Sequence, residues 1–423
     1  MQAENISRLD WILWISFLIL VFSLALMQPF FYYGNLRFSS TDFIFPFVFI
    51  LFIAAILFRS RRFQWHPVYW FLLFYFLCLV NSALFSINPF QSFVKLAGEF
   101  YLLSLTVITF NLVSTYDRLQ LFLKTWLYGT TSAVFIGLIS IFLFYFQRDN
   151  WLLNYTISIY GAVPAGNYPR LSSTFISASM FCNYLNVSLL FLFAAKHLGV
   201  IRKTFFYFLL FGLTITAIFT ISSGLGGIVL AFSIWIWILL KDKNNRFARS
   251  SLFFGISLSA AFFFINFIAL QPHSTAPYTL NLSGFTFYPS SRLMIWTEVS
   301  KTIANNFING VGLGQDVCRV IYENTDGSKA YLTDAHNIFL SVFAQNGIFG
   351  LIAFLMLLIY LLKFSFSPIN NGNKSASNIF YLIATAFLCS FVYQGLTGSF
   401  EDARHLWVLV GFVLSAKSVL QTT

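Results

Sequence analysis

The stretch Trp11–Met27, WILWISFLILVFSLALM, decides the fold. It carries no charge, and as a helix it has the length needed to cross a bilayer, about 17 to 25 residues. Apolar sequence runs on past it into aromatics with no small-residue cleavage site, so it is expected to stay as a span and not to leave as a signal peptide. Runs of the same kind recur through the 423 residues, of which 58% are hydrophobic and 9% charged. Twelve candidate spans centre near Leu18, Phe49, Phe76, Leu105, Phe135, Leu185, Leu213, Leu230, Phe262, Ala353, Ala386 and Val413. The expectation is an all-α polytopic membrane protein of about 12 transmembrane helices, one integral domain over residues 1–423.

Net charge is +11, and its distribution decides what it means. With the N-terminus placed in the cytoplasm, the inner connections hold 16 of the 25 basic residues and four of the 14 acidic ones. Runs such as Arg59-Ser60-Arg61-Arg62 then read as anchors on the positive-inside pattern, with both termini cytoplasmic. The excess sets topology, and nucleic acid drops out as a partner. Cys78, Cys182 and Cys389 fall in spans while Cys318 stands in an outer loop, so no disulfide framework is implied.

Two outer connections are long: about Gln147 to Ser172, and residues 271–334 between spans nine and ten. In the second, Ser290-Ser291 is a capping signal for a helix whose Leu293, Trp296, Val299, Ile303 and Phe307 share one face, and Gly310-Val311-Gly312-Leu313-Gly314 ends it. Such a helix is expected to lie on the membrane surface, the alternative being a helix packed on the bundle.

The chemistry-bearing residues cluster at outer span mouths. Arg170 precedes the sixth span, Arg292 starts the loop helix, His336 and Asn337 enter the tenth span, and Glu401, Asp402 and Arg404 enter the twelfth. A guanidinium binds phosphate through two parallel hydrogen bonds, and a carboxylate pair suits sugar hydroxyls or a cation. Imidazoles titrate near neutrality, as a general base requires. No second His or Cys stands at ligand spacing to His336, so neither a metal nor another cofactor is expected. Gly347 and Gly350 are expected to let helices approach closely.

His336-Asn337, nine intervening residues and Gly347-Ile348-Phe349-Gly350 match position for position the His-[Asn/Ser/Gln]-x9-Gly-x-x-[Gly/Thr/Tyr] pattern of ligases in the bacterial O-antigen ligase and polymerase superfamily. More weakly, Arg170-Leu-Ser-Ser-Thr-Phe resembles the family's Arg-x-x-Gly-Thr-Phe, and Ser291-Arg292-Leu293 with Gly310–Gly314 resembles the start of its large periplasmic loop. Two departures stand out. Ser172-Ser173 occupy the place where the first segment has its Gly, and Thr220-Ile221-Ser222-Ser223-Gly224 has Ser223 where many relatives carry Arg.

The resemblance implies a GT-C-like membrane fold whose periplasmic loop, residues 271–334, caps an active site. It implies transfer of a glycan from undecaprenyl diphosphate to an acceptor hydroxyl on lipid A-core, or on a second lipid-linked glycan, at the periplasmic face of the bacterial inner membrane. His336 would act as base with inversion, and Arg170 and Arg292 would stabilise the leaving diphosphate. Arg404, Asn337, Glu401, Asp402 and Lys329 would contact substrate, with Lys329 or Arg404 candidates to replace the Arg missing at Ser223. Ligase, polymerase and lipid-linked-sugar transporter remain open. Against the transporter, Glu99, with Lys95 one turn before it, is the only charge near a span interior.

Overall fold

The computed structural model describes residues 8–33, 36–158, 169–220, 246, 250, 280–282, 285–287, 292–323, 329–369, 373–397 and 403–422. Helices form on the apolar runs. In chain order, α1 (Arg8–Ser23) leads through the hairpin β1 (Phe31–Tyr33) and β2 (Leu36–Phe38) to α2 (Ser40–Leu57), α3 (Val68–Leu84), α4 (Pro89–Leu112) and α5 (Tyr116–Phe146). The short α6 (Leu153–Thr156) and the antiparallel pair β3 (Ile157–Ser158) and β4 (Arg170–Leu171) precede α7 (Ala178–His197) and α8 (Lys203–Thr220). Next come β5 (Leu280–Leu282), β6 (Phe285–Phe287), α9 (Arg292–Asn305), β7 (Val320–Glu323) and β8 (Lys329–Leu332). The chain closes with α10 (Ile338–Phe366), α11 (Lys374–Thr397) and α12 (Arg404–Thr422).

Ten of the twelve expected spans are present as helices; the eighth and ninth, near Leu230 and Phe262, lie outside the described residues. Eight described helices are long and apolar enough to cross a membrane, while α1 and α3, at 16 and 17 residues, are shorter. Strands among the described residues are confined to four two-stranded antiparallel pairs. The chain is an all-α, multi-pass membrane protein.

Helix starts follow from local chemistry. In lipid an unpaired backbone N–H has no water to turn to, so the first turn needs a side-chain acceptor. Asn88 caps α4 at Gln91 N (3.3 Å), Thr115 caps α5 at Arg118 N (3.3 Å) and Ser177 caps α7 at Met180 N (3.2 Å). The bundle is built from the pairs α7–α11, α4–α12 and α3–α10. At its centre Trp126 of α5 stacks on Tyr184 of α7 with ring centres 4.9 Å apart, and Phe122 stacks on Phe412 of α12 at 4.0 Å. Large apolar side chains also face outwards, among them Leu57 at 73% and Phe135 at 61% exposure. Water would penalise that surface, whereas hydrocarbon does not.

Ion pairs tie the two ends. At one end Asp10 of α1 accepts from Arg61 Nη1 (2.7 Å) and from Arg118 of α5, while Arg61 Nε donates to the Asn111 carbonyl of α4 (3.0 Å). The run Arg59–Arg62 is therefore more than a headgroup anchor, since Arg61 bridges α1 and α4 and its partner Asp10 also holds Arg118 of α5. At the other end Arg404, at the start of α12, grips Asp42, at the start of α2, through Nε (2.9 Å) and Nη2 (2.8 Å).

The loop helix departs from its expected position. Ile295, Val299 and Ile303 of α9 are buried in a second, smaller core with Val311, Val317, Val320, Ala335 and Ala344. Helix α9 packs against α10 and β7, so its apolar stripe is satisfied by protein and does not rest on the bilayer. Phe307, placed on that stripe by spacing, lies beyond the helix end and is 51% exposed.

Candidate functional site

The backbone on both sides of His336 is held firmly. Asn337 caps α10, its Oδ1 accepting from Phe339 N (3.0 Å) and Leu340 N (3.3 Å). Ala335 is fully buried, and its carbonyl accepts from Trp296 Nε1 of α9 (3.0 Å). Between these grips His336 adopts φ +48°, uncommon for a side-chain-bearing residue. Its imidazole is 36% exposed, and Nδ1 lies 3.4 Å from Asp334 Oδ2. With a proton on Nδ1 facing the carboxylate, Nε2 would be the nitrogen open to accept one. The pair can accept a proton from a hydroxyl and hold the resulting charge against Asp334.

The first glycine of the motif does a different job from the one expected. Gly347 has φ +64° and ψ −169°, a conformation almost confined to glycine, and it breaks α10 between two helical segments. A Cβ there would overlap the Ile308 carbonyl and reach within 2.8 Å of Asn309 N. The break frees backbone groups, and the turn Gly310–Gly314 binds them. Val311 N donates to Ala344 O (2.9 Å), Gly312 N to Gln345 O (3.1 Å), and Ile348 N donates back to Phe307 O (2.9 Å). Ser82 of α3 adds a hydrogen bond to Gln345 O at 2.8 Å. Gly310, with φ +73°, is equally constrained, because a Cβ on it would strike the Gln345 carbonyl. The Gly-rich turn and the motif glycine are thus two halves of one joint that fixes the first segment of α10, and His336 with it, against α3 and α4.

Arg170 sits in β4, paired with Ser158 of β3. Its Nη2 reaches Ser179 Oγ on the first turn of α7 at 3.3 Å, and its Nε is buried with no hydrogen-bond partner. That leaves guanidinium capacity for an anion. Ser173, at the position of the family glycine, keeps the turn a glycine would make: its φ is +50°, and its Oγ donates to Ala133 O of α5 at 2.6 Å.

A chain of contacts runs between the two segments. Ile338, next to the cap of α10, packs on Gly395 of α11. The neighbouring Gln394 accepts from Asn183 Nδ2 (3.1 Å) on α7, whose first turn holds Arg170 through Ser179. His336, Arg170 and the Asp42–Arg404 pair therefore stand at helix starts on one end of the bundle.

The remaining expected site residues are placed as follows. Arg404 has its guanidinium engaged by Asp42 and lies over the Tyr101 ring at 5.9 Å. Arg292 is the first residue of α9 and Lys329 the first of β8, opposite Glu323. Glu401, Asp402 and Ser223 lie outside the described residues. All four cysteines are free and buried. Burial, and then the nearby carboxylates of Asp334, Asp316 and Glu298, push the Cys318 thiol up to about 11. No group of three or more His, Cys, Asp or Glu side chains suited to a metal occurs among the described residues.

Sequence reasoning missed Asp334 as the partner of His336, although its place two residues earlier was a readable signal. It also missed a cleft of about 200 Å³ that Asp334 shares with Lys95 and Asp316. Lys95 is remote in sequence from both carboxylates, so no local pattern announces it.

No curated protein matches the chain. A family model described as O-antigen ligase matches residues 206–355, the stretch that includes Arg292, His336 and both motif glycines, and this match supports the chain's membership of the O-antigen ligase and polymerase superfamily.

Proposed function

We propose that the protein is an O-antigen ligase-type glycosyltransferase. It moves a glycan from undecaprenyl diphosphate to a hydroxyl of lipid A-core, at the periplasmic face of the bacterial inner membrane and with both termini in the cytoplasm. The observation that carries the reading is the His336–Asp334 pair, held at the mouth of α10 by a cap and a glycine joint inside the stretch that matches the O-antigen ligase family.

His336 Nε2 removes the acceptor proton as the hydroxyl oxygen attacks the anomeric carbon, and the bond from that carbon to the diphosphate breaks with inversion. Charge develops on the leaving diphosphate, and a guanidinium aimed at it in a partly desolvated site stabilises the transition state more than the ground state. Arg170, with its buried and unpartnered Nε, suits that task, and Arg292 shares it. The connection over residues 271–334 serves as the site's cap in this reading, and Lys329 is a candidate substrate contact. Arg404 acts mainly by fixing the start of α12 through Asp42. Energy comes from the sugar–diphosphate bond, so the reaction needs no nucleotide.

Purified protein incubated with undecaprenyl-diphosphate-linked glycan, with and without lipid A-core, tests this on a gel. A band shift that requires lipid A-core supports the ligase. A ladder formed without that acceptor means a polymerase, and no transfer in either case removes the transferase reading.

A further inference from the structure

We propose that the cleft between α4, the Gly310–Gly314 turn and the first segment of α10 binds the sugar ring of the acceptor, the ring that carries the attacking hydroxyl. The inference rests on the transferase reading above. It extends that reading by assigning the two substrates to different walls of the site.

Asp334 is the link. Its carboxylate faces His336 Nδ1 at 3.4 Å and also lines the cleft, so a ring seated there is separated from the candidate base by that one carboxylate. The other polar groups around the opening are Asp316, Gln315 and Lys95, with hydroxyls from Thr333 and Ser341. Carboxylates and carboxamides interleaved in this way suit adjacent sugar hydroxyls, which donate to one oxygen and accept from a neighbouring N–H. The same set is unsuited to a diphosphate. Two carboxylates face one ammonium, and Lys95 Nζ is already 3.9 Å from the carboxylate of Glu99, which is 1% exposed. The cleft is smaller than a drug-sized pocket, which matches a single ring and not an oligosaccharide.

The walls are built for the purpose. Gln345 Oε1 accepts from Gly314 N (3.0 Å), its Nε2 donates to Ser341 (3.3 Å), and Ser92 of α4 bonds the Leu313 carbonyl (2.6 Å). A side chain on Gly314 would press on the Lys95 stem at 2.9 Å and close the opening. The corner between α3 and α4 that borders the cleft exposes Ile87 at 79% and Phe90 at 80%. Ile87 N and Gln91 Nε2 are bonded to Val311 and Gly314 carbonyls, so this apolar corner and the polar cleft are continuous. An acceptor sugar on a lipid anchor fits both. Displacement with inversion brings nucleophile and leaving group to opposite faces of the anomeric carbon. The acceptor then enters along α4 and α10, and the diphosphate lies toward Arg170 on β4 and α7.

In this assignment the acceptor O–H bond breaks, its proton passes to His336 Nε2, and its oxygen bonds the anomeric carbon. The diphosphate leaves with the electron pair of the broken C–O bond.

Steady-state transfer with undecaprenyl-diphosphate-linked glycan and lipid A-core, each varied in turn, tests the assignment in Asp316→Asn, Lys95→Gln and the cleft-filling Thr333→Trp. The expected result is an acceptor KM raised about tenfold or more, the loss of one charged hydrogen bond, with donor KM moved less than about twofold. A donor KM raised as much as the acceptor KM, or no change in either, overturns it. If the wild type transfers nothing, the transferase reading fails by itself. Binding of lipid A-core to wild type and Asp316→Asn, followed by thermophoresis, then still decides: weaker binding by the variant supports the cleft, and equal or absent binding overturns it.

Discussion

Substituting Gly347 by Ala should break the joint that holds His336. The backbone at φ +64°, ψ −169° costs a side-chain-bearing residue about 1–3 kcal/mol. The new Cβ also overlaps the Ile308 carbonyl and approaches Asn309 N, both backbone atoms that cannot rotate away. Relief requires the Gly310–Gly314 turn to move off α10. That weakens the bonds from Ile348 to Phe307 and from Val311 to Ala344, each worth about 1 kcal/mol. The total, about 3–5 kcal/mol, corresponds for a chain of 423 residues to a fall of about 3–6 °C in melting temperature, read by thermal unfolding in detergent. Gly98→Ala is the control, since nothing lies within 4 Å of a Cβ there and Ala favours the helix. If Gly347→Ala melted with the wild type, the joint would not be what positions α10.

Other substitutions separate structure from chemistry. Ser173→Gly should be nearly neutral, the relief of a left-handed backbone offsetting one lost hydrogen bond, whereas Ser173→Val should destabilise by about 2–3 kcal/mol in the same melt. Arg404→Met should destabilise by about 3 kcal/mol by leaving the largely buried Asp42 carboxylate without its cation, held only by Ser39 N and Oγ, and adding Asp42→Asn, which removes the charge, should restore most of it. If the double variant recovers stability but not transfer, Arg404 touches substrate as well. The raised Cys318 thiol stays protonated at neutral pH, so alkylation by iodoacetamide should run about 100-fold slower than for a free thiol and should accelerate only on unfolding. His66, between α2 and α3, is pushed down to about 4 by burial. The unfolded chain therefore takes up the proton first as pH falls. Stability should decline from about pH 6.5 toward about 4, and His66→Phe should flatten that decline.

The membrane fold was legible because apolar run length is a direct consequence of bilayer thickness, and ten of the expected spans stand where composition put them. The motif around His336 was legible as a pattern while its mechanics were not. Gly347 and Gly350 at three-residue spacing read as a helix contact, yet Gly347 is a break, and that is knowable only once the Gly310–Gly314 turn is seen to bind the freed backbone. The loop helix showed its apolar face in the sequence, but periodicity does not say whether lipid or protein covers it. Arg404 resembled a free guanidinium at a span mouth because its partner Asp42 lies near the opposite end of the chain. Local chemistry could be read directly; pairings between distant segments had to await the fold.

The rate of glycan transfer to lipid A-core by His336→Gln, at saturating donor and with folding verified by its melting curve, tests the role of the imidazole most directly. A general base contributes about 100- to 10,000-fold, so a loss in that range is predicted, with Asp334→Asn losing less. A variant that keeps its rate within about tenfold of the wild type would contradict it.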